Sequence, residues 1–179
     1  ESICAAFGES APQFARADGG GGRAMTLAHV VDRKTLIQYE LFAGGVGAMQ
    51  GYDGETGCHC NQTNGKVTSI EMLETEFPMR AEEFKVLKDS GGKGKFRGGC
   101  GFVRTYRILD GVTSVTLRSS KHGIQPLGVN GGGNARCGFC EVEVSGTITR
   151  LASMQSGVTL KPGDRLTLGT PGGGGYGRG

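Results

Sequence analysis

The residues able to do chemistry are concentrated in a few places. The densest is the run Asp89-Ser90-Gly91-Gly92-Lys93-Gly94-Lys95-Phe96-Arg97-Gly98-Gly99-Cys100-Gly101, in which six of thirteen residues are glycine. Backbone N–H groups in such a loop can turn inward and cradle an anion, and Arg97 would add a fork of charged donors. The same glycines also permit left-handed turns or tight packing between strands, and both readings stay open. The run is not a P-loop, because G-x-x-x-x-G-K-[ST] is absent. It also lacks the strand before and helix after that a dinucleotide fingerprint requires. Upstream lies Glu74-Thr75-Glu76-Phe77-Pro78-Met79-Arg80. On a strand, Glu74 and Glu76 would share one face and form a charged cluster with Arg80. The plainer alternative is a solvated strand edge ended by Pro78.

Cysteine and histidine supply the second set. Cys58-His59-Cys60 and the C-x-x-C pair Cys137 and Cys140 contain enough thiolate and imidazole for tetrahedral zinc, although C-x-C is tighter than usual ligand spacing. Plain core cysteine is the alternative. His59 is a candidate acid or base near neutral pH, whereas His29 and His122 are isolated and read as structural. Neither a G-x-S-x-G elbow nor an H-E-x-x-H pair is present.

The elements that must position these residues are mostly strands. Residues 24–31 and 35–42 flank the turn Asp32-Arg33-Lys34 and predict a hairpin. Residues 82–88 read as a strand. Residues 102–109 alternate, with Phe102, Arg104, Tyr106 and Ile108 on one side, and Asp110-Gly111 reads as the turn into a strand at 112–117. Two further hairpins are predicted, around Ser145-Gly146 and around Lys161-Pro162-Gly163-Asp164. Residues 69–76 fit either a helical turn or a strand. A short helix is predicted within residues 1–17, ended near Pro12. Many short strands at regular spacing point to a mainly β fold (α+β being the variant), with layered sheets or a barrel-like closure and long glycine-rich loops.

Composition narrows the function classes. Glycine makes up 35 of 179 residues, nearly three times the usual ~7%, without the period of a collagen helix. Such an excess fits close backbone approach, here expected against neighbouring chains. The balance of 20 basic and 17 acidic residues gives +3, too weak to imply nucleic acid or a membrane surface as partner. No apolar run of about 18 residues and no signal peptide is visible, so a cytoplasmic chain with reduced cysteines is expected. The length suggests one domain over residues 1–179. The sequence starts at Glu1 rather than Met, as expected of a processed chain or a piece of a longer product.

Three linked elements carry a resemblance: Glu74-x-Glu76-x-Pro78-x-Arg80, then the glycine run at 89–101, then Thr170-Pro171-Gly172-Gly173-Gly174-Gly175-Tyr176-Gly177. In this order and spacing they resemble the C-terminal part of the hydantoinase B / 5-oxoprolinase family, which includes the large subunits of acetone and acetophenone carboxylases. Weaker matches are Gly57-x-His59 with Thr63-Asn64, and Pro126-x-Gly128 with Gly131-Gly132. The chain departs from the pattern at Asn61, where relatives carry a second His, and at Ser120-Lys121, where they carry Asp-Arg.

The resemblance implies a split-gene subunit or fragment. Its partners would be a hydantoinase A-type subunit, which holds ATP and Mg, and the remaining N-terminal portion of the B-type subunit, where any divalent metal belongs; no metal is assigned to this chain. The implied activity is ATP-dependent hydrolysis of a cyclic amide such as a hydantoin or 5-oxoproline. Ketone carboxylation and a non-catalytic structural role are the alternatives. Within that reading, His59 and Arg97 are the candidate catalytic residues. Arg80, Glu74, Glu76, Gly91, Gly92, Gly98 and Gly99 are candidates for binding substrate or phosphate, the glutamates orienting the arginines.

Overall fold

The computed structural model describes residues 10–21, 23–59 and 65–179. In chain order its elements are β1 (Arg23–Val31), β2 (Lys34–Leu41), α1 (Ile70–Glu76), β3 (Met79–Leu87), β4 (Gly101–Ile108), β5 (Val112–Ser119), β6 (Phe139–Val144), β7 (Thr147–Arg150), β8 (Met154–Leu160) and β9 (Arg165–Gly169). All pairing is antiparallel, in one sheet ordered β2-β1-β5-β8 and another ordered β3-β4-β9-β6-β7. The fold is mainly β and layered, and the sheets do not close into a barrel. Most of the predicted N-terminal helix, together with Cys4, Cys60, Asn61, Thr63 and Asn64, lies outside the described residues; Pro12–Phe14 form a 3-10 turn.

Local chemistry explains the hairpins. Asp32 and Arg33 both take left-handed φ, 47° and 65°, as do Ser145 and Gly146 at 51° and 79°. Two consecutive positive φ values give the turn whose twist suits a two-residue β-hairpin, and β1–β2 and β6–β7 pair accordingly. Two other expected hairpins are corrected. Asp110-Gly111 and residues 161–164 each carry the chain from one sheet to the other, since β4 and β9 lie in the second sheet and β5 and β8 in the first. The two corners bind each other: Ile108 N donates to Asp164 O at 3.0 Å and Gly163 N to Ile108 O at 2.8 Å. Each corner carries a single left-handed residue, Gly111 or Gly163, where each hairpin carries two, and the partners that fix the corners lie far along the chain.

The ambiguous segment at 69–76 is helical. Ser69 caps α1 by accepting from Met72 N at 3.3 Å, and Leu73 is the one residue the helix buries. Between the sheets, Met25, Leu27, Val115, Leu117 and Leu160 meet Tyr106, Ile108, Val142, Leu166 and Leu168 in one cluster.

A second layer has almost no side chains. Residues 170–176 are buried throughout, and their amides go out in threes. Gly172 and Gly175 donate to Arg136 O and Gly133 O, Gly173 and Tyr176 to Gly99 O and Phe96 O, and Gly174 and Gly177 to Asp18 O and Val129 O. Every third amide therefore faces the same side, the period of a polyproline II-type helix. Segments around 44–48 and 91–99 return bonds: Gly45 N to Pro171 O, Ala48 N to Gly174 O and Gly92 N to Gly173 O. The neighbours that shape the glycine segments are thus segments of the same chain. Packing is backbone on backbone: a Cβ at Gly98 would collide with Gly173 O, and one at Gly173 with Val46 O. Ala15, Ala48 and Tyr176, with Phe96 and Val129, form the small apolar centre of this bundle. β4 and β9 emerge from it side by side, joined where Thr170 N donates to Phe102 O at 2.7 Å.

Gly98→Ala is expected to destabilise the protein by about 3 kcal/mol or more, as overpacking against rigid backbone. Gly123→Ala, with nothing within 4 Å of the added carbon, should stay within about 0.5 kcal/mol of the parent. Urea denaturation of both variants checks the contrast.

Candidate functional site

The inter-sheet core turns polar toward β2. Gln38 and Glu40 point inward from β2 and His29 from β1, facing Arg104 and Tyr106 on β4. Glu40 is 4% exposed. Its Oε1 accepts from Arg104 Nη1 at 3.0 Å, and its Oε2 accepts from Tyr106 OH at 3.1 Å and Gln38 Nε2 at 3.2 Å. The Arg104 guanidinium stacks over Phe84 at 4.4 Å, with Phe42 at 5.6 Å. Since Gln38 gives its NH2 to Glu40, its oxygen faces His29 Nε2 at 3.4 Å, and Thr113 Oγ1 lies 2.9 Å from Nδ1. That network assigns the proton of His29 to Nε2. Burial holds the imidazole below its ordinary pKa and pushes the Tyr106 hydroxyl up.

From this seam a line of basic groups runs to one end of the sandwich. Arg23, the buried first residue of β1, donates to Gly20 O and to Phe42 O, the latter at 3.1 Å. His59 is half-buried; desolvation first, then the Arg23 and Arg104 guanidiniums, hold its pKa down. His122 is treated the same way by burial, Arg23 and Arg150, and its pKa falls to about 4. Both imidazoles are therefore neutral at pH 7, and Arg23 lies beside both. Around them, Lys121 is ion-paired with Asp18, and Arg23 stands opposite Ser119 in the β1–β5 ladder. Among the described residues, Asp18 Oδ1, Ser119 Oγ, and Nδ1 and Nε2 of His122 are buried here without a hydrogen-bond partner. Buried polar atoms are nearly always paired, with protein or with ordered water, so this cluster is polar enough to hold water or a polar ligand. Neutral imidazoles can donate and accept hydrogen bonds, and can pass a proton without holding a charge.

The residues singled out from sequence fall in three places. His59 belongs to this cluster. Arg97 sits exposed on the rim of the glycine bundle, its N–H donating to Asp53 Oδ1 at 2.9 Å and its guanidinium 3.8 Å from Asp53 Oδ2. Arg80 is exposed on β3 opposite Arg107. Glu74 and Glu76 lie nearby on α1, so the shared face expected of a strand is replaced by side chains about 200° apart around a helix. Glu74 Oε1 accepts from Ala81 N at 2.9 Å, and among the described residues no ion pair joins either glutamate to Arg80 or Arg97. The loop glycines are internal: Gly92 N donates to Gly173 O at 2.8 Å, Gly98 N to Gly92 O at 2.9 Å and Gly99 N to Val46 O at 2.9 Å, while Gly91 packs against Gly98 O. Amides expected to face an anion are bonded within the bundle.

No group of three or more His, Cys, Asp or Glu positioned to hold a metal occurs among the described residues. The Cys58 thiol donates to Glu55 Oε2 at 2.9 Å, which raises its pKa, and burial pushes the Cys140 thiol up to about 12. His122, Asp18, Arg23, Glu40 and Arg104 were missed as site residues. For Arg104 a signal existed, since the alternation of β4 placed it on the side of Tyr106 and Ile108. For Lys121 the ion pair with Asp18 shows what a basic residue does there.

Two outcomes are expected. Glu40→Ala strands a buried guanidinium and should cost about 3–5 kcal/mol in urea denaturation, most of it regained when Arg104→Met and Glu40→Leu are combined. His122 protonates only near pH 4 when folded but near 6.5 when unfolded. Its contribution to stability is thus complete above about pH 6.5 and declines as pH falls from there through about 4. Denaturation midpoints across that window should show a shallower slope for His122→Gln.

The profile of the family described as Hydantoinase B/oxoprolinase matches residues 1–179. A 5-oxoprolinase of Dictyostelium discoideum is 37% identical over 146 residues, covering 81% of this chain and 11% of that protein. Among solved structures, the ATP-dependent caprolactamase of Pseudomonas jessenii superposes with a TM-score of 0.81 at 25% identity, over 97% of this chain and 32% of its own. Acetone carboxylase, in its nucleotide-free structure, shares the fold with a TM-score of 0.75 at 18% identity, over 96% of this chain and 28% of its own. The chain thus spans about a tenth of the 5-oxoprolinase and about a third of the caprolactamase chain. With the profile matched from end to end and the linked glutamate, glycine-loop and glycine-tail elements in place, this chain belongs to the hydantoinase B/oxoprolinase family.

Proposed function

We propose that the chain is the C-terminal part of a hydantoinase B-type subunit that hydrolyses a cyclic amide at the expense of ATP bound by a hydantoinase A-type partner in the cytoplasm. The observation that carries this reading is the pair of neutral imidazoles flanking Arg23, in a chain matched along its whole length by the family. The 5-oxoprolinase and caprolactamase names favour a hydrolase over a ketone carboxylase, because the likeness to acetone carboxylase concerns the fold alone.

ATP would supply the phosphoryl group that turns a poor oxygen leaving group into a good one. The glycine loop does not fit the nucleotide phosphates, since the amides of Gly92, Gly98 and Gly99 are already bonded; this supports placing ATP and its Mg on the partner. In this chain His59 would move a proton to or from the reacting amide, and Arg23 would keep the ring uncharged until it does so. Gly91, Gly92, Gly98 and Gly99 would hold the wall of the chamber in shape. Arg97, Arg80, Glu74 and Glu76 are presented outward, where they would meet the substrate or the rest of the complex. The isolated chain would not turn over.

The test is lactam- or hydantoin-dependent ATP hydrolysis by the full-length subunit with its partner. His59→Asn should lower the rate about 100-fold, as expected for loss of a general acid or base. An unchanged rate in Arg97→Ala would remove that residue from the reaction. ATP turnover requiring bicarbonate would replace the hydrolase reading with carboxylation.

A further inference from the structure

At the far side of the second sheet the side chains of Arg136 and Arg150 open onto a cleft of about 510 Å³, shared with Glu141, Gln125, Phe139 and Leu87. That volume suits a small molecule. The frame is rigid where it counts. Arg136 is fixed through its backbone, its N–H donating to Ser90 O at 2.9 Å and its carbonyl accepting from Gly172 N at 3.3 Å. Arg150 ends β7 directly opposite Glu141 on β6. Two other guanidiniums on this sheet are matched with carboxylates: Arg107 and Arg165 share Glu82, and Arg165 also binds Glu143. In the cleft they are not. Arg136 has no side-chain partner among the described residues, Arg150 reaches Gly138 O at 3.4 Å, and its guanidinium lies 5.6 Å from the Phe139 ring. Two guanidiniums and one carboxylate thus face the same space without an ion pair between them.

We propose that this cleft binds a small amino-carboxylate, with the ligand's carboxylate held by Arg136 and Arg150, its ammonium by Glu141, and its methylene chain against Phe139 and Leu87. Planar guanidinium forks match a carboxylate with paired hydrogen bonds. A single carboxylate, Glu141 beside Arg150 on the neighbouring strand, selects a ligand that carries a cation as well, which a phosphate or a simple fatty acid does not. The proposal rests on the hydrolase reading in one respect: opening a lactam breaks the C–N bond, the acyl carbon keeps an oxygen from water as a carboxylate, and the nitrogen departs as an amine. The product is an amino-carboxylate. Arg150 also lies beside His122, which connects the cleft to the cluster around Arg23.

Binding of aminohexanoate and glutamate to the full-length subunit, without ATP, tests this by calorimetry or ligand-observed NMR. Hexanoate, hexylamine and inorganic phosphate serve as single-function probes. The expected result is saturable binding of the amino-carboxylates, weakened about tenfold or more by Arg136→Gln or Arg150→Gln, the loss of a charge-assisted contact. Glu141→Gln should erase the preference for aminohexanoate over hexanoate. Circular dichroism melts confirm that each variant is folded, and Arg136→Lys, which keeps the charge but loses the fork, should bind at intermediate strength. No saturable binding, binding indifferent to both arginines, or phosphate bound more tightly than the amino-carboxylates would overturn the proposal. Binding retained in a protein that shows no lactam-dependent ATP turnover would overturn the hydrolase reading and leave the cleft assignment standing.

Discussion

In the glycine bundle, carbonyl oxygens of one segment fill the volume where Cβ atoms of the next would stand. Gly173 O occupies that place for Gly98, and Val46 O occupies it for Gly173. Such packing lets amides of five separated stretches satisfy one another without forming a sheet, and buried amides must be satisfied by something. Its reach extends into the sandwich, because β4 and β9 start and end in the bundle. Arg104 and Tyr106 take their positions on β4 from that anchor. The loop leading to His59 is held the same way, with Cys58 O accepting from Gly44 N at 3.2 Å and Gly57 pressed on the Phe102 ring.

Electrostatics at the end of the sandwich depend on this rigidity. A guanidinium such as Arg104 tolerates burial only with its carboxylate and hydroxyl partners in register, and Glu40 and Tyr106 arrive from different sheets to provide them. Arg23 is held in place in part by the carbonyls of Gly20 and Phe42. Its guanidinium adds to burial in biasing the nearby rings of His59 and His122 toward neutrality. A loosely packed core would let these side chains relax toward water, and the bias would disappear.

Much of this was legible in the sequence, and the failures share a cause. Alternation and paired turn residues located β1–β2 and β6–β7, because a two-residue turn with left-handed φ is a local property. The turns at Asp110-Gly111 and near Gly163, each with one left-handed glycine, were misread, since the choice between pairing back and crossing to another sheet is made by distant strands. Glu74 and Glu76 could not be assigned to a face while the helix was undecided; Ser69 as cap and Leu73 as the single buried residue settle it. The glycine runs were recognisable as unusual, yet no residue type in them indicates which carbonyl each amide will find. His122 looked isolated because its neighbours, Arg23 and Arg150, lie far away in the sequence.

The position of residues 165–177 has a consequence for how the protein is made. β9 is the strand inserted between β4 and β6, and the stretch that follows it supplies the acceptors for Gly45, Ala48 and Gly92. During translation Gly45, Ala48 and Gly92 leave the ribosome before their acceptors on Pro171, Gly174 and Gly173, and the second sheet lacks its middle strand. Completion of the second sheet and of the glycine bundle must wait for this late segment, and those parts of the nascent chain remain open to chaperones and proteases until then.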